Sequence, residues 1–308
     1  MKKRQANPAS IRPAKSGGFT LIESLVATSI LILLFVLLGN VLISTTRISA
    51  QATSRLNAAR LGREVFELIG RDLSQVVSSR SSLSTKAPLQ FWVNPPQLDN
   101  SQQNATAIFW QSSVARDRNL GSVAVVGYFV QNSGTRPQLR RVLIEPKDPL
   151  YKIYSDSANW LPASSIAAFG APSGGSGQPD RGWVADGVLG LWVRCLDSNG
   201  NVISTDGAGN ARGYKFDSQK GYQSGSGADK IVYGTFNALP AFVEVGMVCI
   251  APNDVDQIKN LPSAAAVSPA NFETEMAAFL STFNQANPRV KSGTSVTRRF
   301  RLYGAYQG

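Results

Sequence analysis

Hydrophobic and polar residues along this chain follow two patterns, one typical of a long helix and the other typical of β-strands. The helical part opens with an apolar run that contains no ionisable side chain from Ser24 to Thr46. Beyond it, apolar residues recur at steps of three and four as far as Val76, the spacing of one helical face. We therefore predict a single helix from about Phe19 to about Ser79, about 90 Å long at the usual rise per residue.

The two halves of this predicted helix differ in how their apolar residues are distributed. Residues 19–46 are apolar on all sides and are long enough to cross a bilayer, which takes about 20 apolar residues. Residues 47–79 are amphipathic, with charged side chains mostly outside one apolar stripe. The second half therefore predicts a surface on which a single domain packs, with a coiled-coil stalk disfavoured because strict heptads are absent.

From about residue 88 the pattern changes to short runs rich in β-branched and aromatic residues, which predict strands. The predicted strands are 89–93, 105–110, 123–130, 138–144, 189–196, 241–250 and 296–303. Turn residues such as Asn132-Ser133-Gly134 separate the first strands and favour antiparallel hairpins. The expected fold class is α+β, with a long N-terminal membrane-spanning helix packed on a mainly antiparallel β-sheet body.

These patterns predict the organisation of the whole chain. The predicted segments are a basic leader at 1–18, a transmembrane half-helix at 19–46, an amphipathic half-helix at 47–79 and a β-rich globular domain at 80–308. Within that domain, the Gly/Ser-rich segments 171–182 and 221–228 predict surface loops. An insertion at 253–287 interrupts the strands and contains a predicted short helix at 271–280.

The charges that precede the apolar run help to distinguish between kinds of membrane segment. Lys2, Lys3, Arg4, Arg12 and Lys15 precede the run, with no acidic residue among them. A secretory signal also begins with basic residues, but its apolar core is about 7–15 residues long and its small-residue cleavage site comes afterwards. A plain single-pass anchor fits the length. Neither alternative explains the residues at the start of the run.

Those residues are Ser16-Gly17-Gly18-Phe19-Thr20-Leu21-Ile22-Glu23. This motif resembles that of the type IV pilin-like family, which includes pilins and the pseudopilins of type II secretion. The resemblance implies that a prepilin peptidase cleaves between Gly18 and Phe19 and that the new N-terminus, Phe19, is methylated. It also implies that Glu23, five residues into the mature chain, is the residue that directs filament assembly.

The physical chemistry of Glu23 agrees with this role. A carboxylate at membrane depth costs several kcal/mol unless it is neutralised. The free amine of a neighbouring subunit, pairing with Glu23 in a low dielectric, removes the burial penalty of both groups and sets the axial stagger of the subunits. The alternative is an interfacial glutamate that extends its carboxylate towards water.

A second resemblance lies in the body. Leu239–Val245 is similar to the strand near the end of large minor pseudopilins of the J type, and Arg71-Asp72-Leu73 in a late helical turn fits the same group. The interruption after that strand, followed by a basic C-terminal strand, is also similar to the Verru_Chthon cassette protein C family of pilin-like proteins.

Histidine and cysteine content limit the chemistry that the chain can perform. The sequence has no histidine, which excludes a Ser-His-Asp triad and any zinc site with a histidine ligand within this chain. Two cysteines, Cys195 and Cys249, lie in strand-like apolar segments. Two alternatives are open for them: one disulfide in an oxidising compartment, or two buried unpaired thiols.

Three further features bear on ligands. The run Asp197–Asn201 has an acidic start, but Val202 and Ala208 occupy the positions where an EF-hand needs glycine and an acidic residue, so we predict a hairpin turn and no metal site. The basic C-terminal edge has two interpretations. In the first it contacts nucleic acid or an acidic partner. In the second it is an edge strand whose charges resist aggregation, and we favour this second interpretation. The edge comprises Arg289, Lys291, Arg298, Arg299 and Arg301. The five tryptophans predict core packing before a ligand surface.

The function expected from the resemblance is structural. The chain is expected to be a minor or tip subunit of a type II secretion pseudopilus or a type IV pilus-like filament, with no enzymatic activity and no cofactor. It is expected to sit in the inner membrane with a cytoplasmic N-terminus. Its expected partners are the peptidase, other pilin-like subunits, the assembly platform and membrane lipid. The alternative is a displayed binding module for DNA, polysaccharide or a secreted protein.

Overall fold

The structure is a computed structural model. It describes residues 20–77, 89–98, 104–115, 119–131, 136–156, 159–170, 181–204, 214–220, 222–224, 231–233, 239–264 and 272–303. The chain divides into two structural units, residues 1–50 and residues 51–308.

One helix, α1 (Leu21–Leu73), runs through the end of the first unit and into the second. The helix is shorter than predicted at its C-terminal end because the residues after Leu73 pair with a strand. The Val77 amide donates to the Gln111 carbonyl over 3.1 Å, and the Ser113 amide donates to the Gln75 carbonyl over 3.0 Å. These bonds use the backbone groups that another helical turn would need.

The second unit contains twelve described strands. They are β1 (Phe91–Val93), β2 (Ile108–Ser112), β3 (Ala124–Gln131), β4 (Gln138–Ile144), β5 (Trp183–Asp186), β6 (Val188–Leu196), β7 (Val202–Ser204), β8 (Phe216–Asp217), β9 (Tyr222–Ser224), β10 (Ile231–Tyr233), β11 (Phe242–Cys249) and β12 (Thr294–Arg301). The seven strands predicted from the sequence are present, one with the predicted bounds and the others with bounds that differ by up to three residues. The short strands β5 and β7 to β10 were not predicted.

These strands form two six-stranded sheets, whereas a single sheet was expected. The first has the order β5-β4-β3-β2-β1-β8, and the second has the order β10-β9-β7-β6-β11-β12. The pairings between the described strands are antiparallel. The coarse fold is therefore α+β, with one long apolar N-terminal helix and a body of antiparallel sheets.

Both faces of the central strands are covered, which explains why these strands read as nearly continuous apolar runs. Trp110 and Val126 of the first sheet share one core with Val193 and Val245 of the second. The opposite face of the first sheet carries α2 (Ala163–Gly170), whose Phe169 lies in a second core. Every residue of β3 is buried as a result.

The last helix, α3 (Phe272–Ala286), covers the other face of the second sheet. Its Phe279 packs edge-on against Trp192 of β6, with ring centroids 5.2 Å apart. Its Met276 lies against Gly246 of β11, where a Cβ would be 2.5 Å from the Met276 sulfur. The helix predicted at 271–280 is thus present, and it continues to Ala286 because Phe283 is also buried on the same face.

The insertion and the two predicted loops are seen only in part. The insertion contains a 3-10 helix, Pro252–Gln257, in addition to α3. The segment 221–228 was predicted to be a loop, but β9 lies within it and pairs with β7 and β10. Residues 171–180 of the other predicted loop lie outside the described residues.

Candidate functional site

The first turn of α1 contains Glu23, the residue predicted to direct filament assembly. Thr20 precedes the helix, and its hydroxyl oxygen accepts a hydrogen bond from the Glu23 amide over 3.4 Å. The Thr20 carbonyl accepts from the Ser24 amide over 3.1 Å. Thr20 and Glu23 therefore have the spacing of a capping box, in which the first residue of the motif satisfies an amide of the first turn. Gly18 and Phe19, the predicted cleavage and methylation positions, lie outside the described residues.

Glu23 is exposed, and it stands in the first turn of α1. A negative charge in this position interacts favourably with the positive end of the helix dipole. The next ionisable residue along the helix is Arg47, so Glu23 is isolated from other charges on the same helix by a long apolar segment.

That apolar segment is uncovered on all sides. Every large apolar side chain from Leu21 to Ile43 is at least 50% exposed. By length and composition, α1 is the one helix in the described part of the chain that can cross a membrane. An apolar surface this long is stable only when lipid or other helices cover it.

Several hydroxyl groups in the segment are satisfied within the helix. Thr28 and Ser29 both donate to the Leu25 carbonyl, over 3.0 and 2.8 Å. Ser44 and Thr45 both donate to the Val41 carbonyl, over 2.9 and 2.8 Å. These hydroxyls need no partner outside the helix, as an apolar environment requires.

The later turns of α1 pack directly on the edge strand β12. A Cβ added to Gly62 would stand 2.7 Å from a methyl carbon of Val296, and one added to Gly70 would stand 2.8 Å from the Phe300 ring. Phe66, between these glycines, packs edge-on against the same Phe300 ring with centroids 6.2 Å apart. The two glycines allow the helix backbone to approach the strand this closely.

A buried polar cluster joins the last turn of α1 to the first sheet. Asp72 is 1% exposed. Its carboxylate accepts two hydrogen bonds from Arg141 of β4, over 2.7 Å from Nε and 3.1 Å from Nη2. The Tyr128 hydroxyl of β3 donates to the same carboxylate over 2.5 Å. Tyr128 and Arg141 are opposite each other in the β3–β4 register, which places both side chains on the face towards α1.

The cluster changes the acidity of its members. Burial, followed by the contact with Asp72, raises the pKa of Tyr128 well above its usual range. Burial acts to lower the pKa of Arg141, but the hydrogen bond to Asp72 and the nearby charges outweigh it and the pKa is raised. The tyrosine therefore stays neutral and the arginine stays charged, which keeps all three hydrogen bonds in place.

The cluster of Asp72, Tyr128 and Arg141 was not predicted from the sequence. Its signal was nevertheless present, because Asp72 follows Ile69 by three residues and falls on the buried face of α1. A charged residue on the apolar stripe of an amphipathic helix needs a buried partner. The residues around Arg141 in the sequence do not indicate that it is the partner of Asp72.

The two cysteines are separate, buried and free. Cys195 of β6 is opposite Val243 of β11, and Cys249 is six residues further along β11. That distance is about 20 Å at the usual strand rise, whereas a disulfide needs Cα atoms within about 7 Å. The disulfide that the sequence left open is therefore not formed in this fold. Burial raises the pKa of the Cys249 thiol to about 12 and raises that of Cys195 as well.

The Asp197–Asn201 segment forms the turn between β6 and β7. The Asp197 carboxylate accepts from the amides of Asn199 and Asn201, over 2.9 and 2.8 Å. Gly200 adopts φ +85°, a conformation that favours glycine. The hairpin prediction is confirmed. Among the described residues, no group of three or more His, Cys, Asp or Glu side chains is placed to hold a metal ion.

Of the basic C-terminal residues, Arg298, Arg299 and Arg301 lie along β12, at an edge of the second sheet, whereas Arg289 and Lys291 precede that strand. Arg298 pairs with Glu67 of α1. Arg299 lies 3.5 Å from the Glu244 carboxylate, which also accepts from Arg194 over 2.6 Å. The position agrees with the charged-edge interpretation that the sequence favoured.

The tryptophans mostly lie in the cores. Trp110, Trp160 and Trp192 are at most 1% exposed, and Trp92 is half-buried against Trp160. Trp183 on β5 is 50% exposed, with its indole nitrogen donating to Asp186 over 3.0 Å. The five rings do not combine into one aromatic surface.

Comparison with known proteins adds no relative: no family model, no curated protein and no solved structure matches this chain.

Proposed function

We propose that this chain is a membrane-anchored, pilin-like structural subunit of a type II secretion pseudopilus or a type IV pilus-like filament, assembled through its N-terminal helix after leader removal. One observation carries the proposal. Glu23 is the single ionisable residue between Leu21 and Thr46, in a half-helix whose large apolar side chains are all exposed.

A carboxylate in that position needs a partner once the helix is surrounded by lipid or by other helices. Its ionised form loses several kcal/mol of solvation at membrane depth. The free amine of a neighbouring subunit supplies the opposite charge, and pairing in a low dielectric offsets the desolvation of both groups. Glu23 is the one charged residue of this half-helix, so it is the residue that can align neighbouring helices through a charge pair.

Processing supplies the amine. A prepilin peptidase cleaves between Gly18 and Phe19, and Phe19 becomes the methylated N-terminus. The chain is a substrate of that peptidase and is not itself an enzyme. Before assembly it lies in the inner membrane with the leader in the cytoplasm, in agreement with the five basic leader residues. The inner-membrane assembly platform then transfers it to the filament, where it contacts other pilin-like subunits.

A minor or tip position fits the size of the body better than that of a repeating subunit. In its described residues the body carries two six-stranded sheets, the helices α2 and α3 and a 3-10 helix. A subunit repeated along a filament needs a compact body on every side, whereas a tip subunit has one end free of neighbours.

The test is the N-terminal residue of the protein made in cells with an active prepilin peptidase. We expect mature protein beginning at methylated Phe19, identified by mass spectrometry of the N-terminal peptide. Gly18→Val should retain the leader, while the matched change Gly17→Ala should leave cleavage intact. An inactive peptidase gives the uncleaved reference. An intact leader on the wild-type chain, or cleavage at another bond, would refute the proposal.

A further inference from the structure

The strand β12 has a partner on one side only. It pairs with β11 without interruption from Thr294 opposite Cys249 to Arg301 opposite Phe242. It is the last strand in the order of its sheet. In the described part of the chain, therefore, the other side of β12 is an open sheet edge.

The register determines which backbone groups face that edge. The Leu302 amide donates to the Ala241 carbonyl over 3.0 Å, so residue 302 points its backbone groups towards β11. Orientation alternates along an antiparallel strand, and the even-numbered residues of β12 share the orientation of Leu302. The amides and carbonyls that point outward belong to Ser295, Thr297, Arg299 and Arg301. All four of these residues are exposed, whereas Val296 and Phe300 of the same strand are half-buried.

The side chains next to the open edge are mostly cationic. On one face, Arg298 contacts Glu67 of α1, and Arg63 and Arg71 lie one helical turn on either side of Glu67. On the other face, Arg299 contacts Glu244. The arginines of β12 itself are Arg298, Arg299 and Arg301, and the acidic residues that contact them are Glu67 and Glu244.

We infer that the open edge of β12 binds an extended acidic segment of a partner protein, which adds to the second sheet as a further strand. Outward amides and carbonyls supply the main-chain hydrogen bonds of strand addition. The excess of arginine selects the partner by charge: it opposes pairing with a second copy of β12 and favours a strand with acidic side chains. This inference does not depend on the proposed filament function.

The test uses the full chain in dodecyl maltoside micelles and a fluorescent peptide of alternating glutamate and threonine. Binding is measured by fluorescence anisotropy at moderate salt. A second peptide of the same sequence is N-methylated at every residue, which removes the amide donors along both of its edges and keeps the charge. We expect the methylated peptide to bind about tenfold more weakly or worse, since it cannot donate the main-chain hydrogen bonds of strand addition.

Variants locate the binding to β12. Thr297→Pro removes one outward amide and is compatible with an edge strand, so it should weaken binding of the unmethylated peptide about tenfold. Arg299→Gln with Arg301→Gln should also weaken it. The matched charge control is Lys147→Gln with Lys152→Gln, two exposed lysines away from β12, which should leave binding unchanged. Hydrogen exchange should slow at residues 295–301 when the peptide is bound.

Three outcomes would overturn the inference. The first is no binding of the unmethylated peptide. The second is equal binding of the methylated peptide, which would indicate attraction between charges without strand addition. The third is equal or tighter binding of a single-stranded oligonucleotide of the same charge, which would indicate a general polyanion surface.

Discussion

The carboxylate of Asp72 and the guanidinium of Arg141 form a two-point ion pair that fastens the last turn of α1 to the first sheet. The side chain of Asp72 is 2% exposed and that of Arg141 is 21% exposed. Because the pair is largely shielded from water, neither charge can lose its partner without a large cost. The pair lies in the second structural unit, where α1 also contacts β12.

Removing one charge of this pair should destabilise the body strongly. We expect Asp72→Asn to lower the free energy of unfolding by about 3 kcal/mol, because it leaves Arg141 charged and without a counter-charge. Urea unfolding of the full chain in detergent, followed by tryptophan fluorescence, measures the change. Glu64→Gln, an exposed change on the same helix, should cost less than about 0.5 kcal/mol.

The double variant Asp72→Asn with Arg141→Gln should be more stable than Asp72→Asn alone, since both charges are then absent. Equal stability of the two variants would show that the unpaired charge of Arg141 carries no penalty.

Gly62 should resist any side chain because of its contact with Val296. We expect Gly62→Ala to be destabilising by about 1 kcal/mol, since overpacking costs about 1–3 kcal/mol and the better helix propensity of alanine returns about 1 kcal/mol. The same unfolding experiment measures this. Adding Val296→Ala to Gly62→Ala should recover part of the loss by restoring space.

Gly39 provides the matched control for Gly62. It lies on the same helix with no atom within 4 Å of an added Cβ. Gly39→Ala should therefore be neutral or slightly stabilising. A destabilisation as large as that of Gly62→Ala would contradict the role given to the contact with β12.

Glu23→Gln should separate the charge of Glu23 from its local role in the helix. Glutamine suits the third position of a capping box as glutamate does, so the start of α1 should be unchanged. We expect the variant to insert into the membrane and to be processed, yet to enter filaments poorly because no charge pairs with the amine of the neighbour. Sheared filament fractions, probed for this chain, give the measurement. Incorporation equal to wild type would exclude the assembly role.

Alkaline pH should destabilise the fold through its buried thiols. Burial raises the pKa of Cys249 from 9.0 to about 12, while the unfolded chain keeps the ordinary value. Between these values the unfolded state has lost the thiol proton and the folded state keeps it, so the unfolded state binds fewer protons and stability falls as pH rises. Below pH about 9 the full stability is present.

Cys249→Val should flatten this decline. Each buried thiol changes the unfolding equilibrium by at most about tenfold per pH unit in the interval. Between about pH 8 and about pH 11 the urea midpoint should fall more steeply with pH for the wild type than for the variant. Curves that stay parallel would mean that Cys249 ionises equally in both states.

Features set by neighbouring residues were predictable. Gln138–Ile144 was predicted with the observed bounds, and the turn at Asn199-Gly200 was predicted from its residue types. The amphipathic half of α1 was also expected, although its end was placed at about Ser79 and the helix ends at Leu73. Each of these depends on the spacing of residues that are close in the chain. Short strands such as β5 and β9 were missed, because three or four residues carry too little periodicity.

For this protein the sequence by itself determined an apolar helix able to span a membrane, one isolated carboxylate in its first turn, and a body built from antiparallel strands. These follow from local periodicity and from the position of charges along the chain. Only the tertiary structure decided that the strands divide into two sheets, that Cys195 and Cys249 stay apart, and that Asp72 pairs with Arg141. The last two residues are 69 positions apart, and contacts at such separations depend on which strands pair and how helices pack on them.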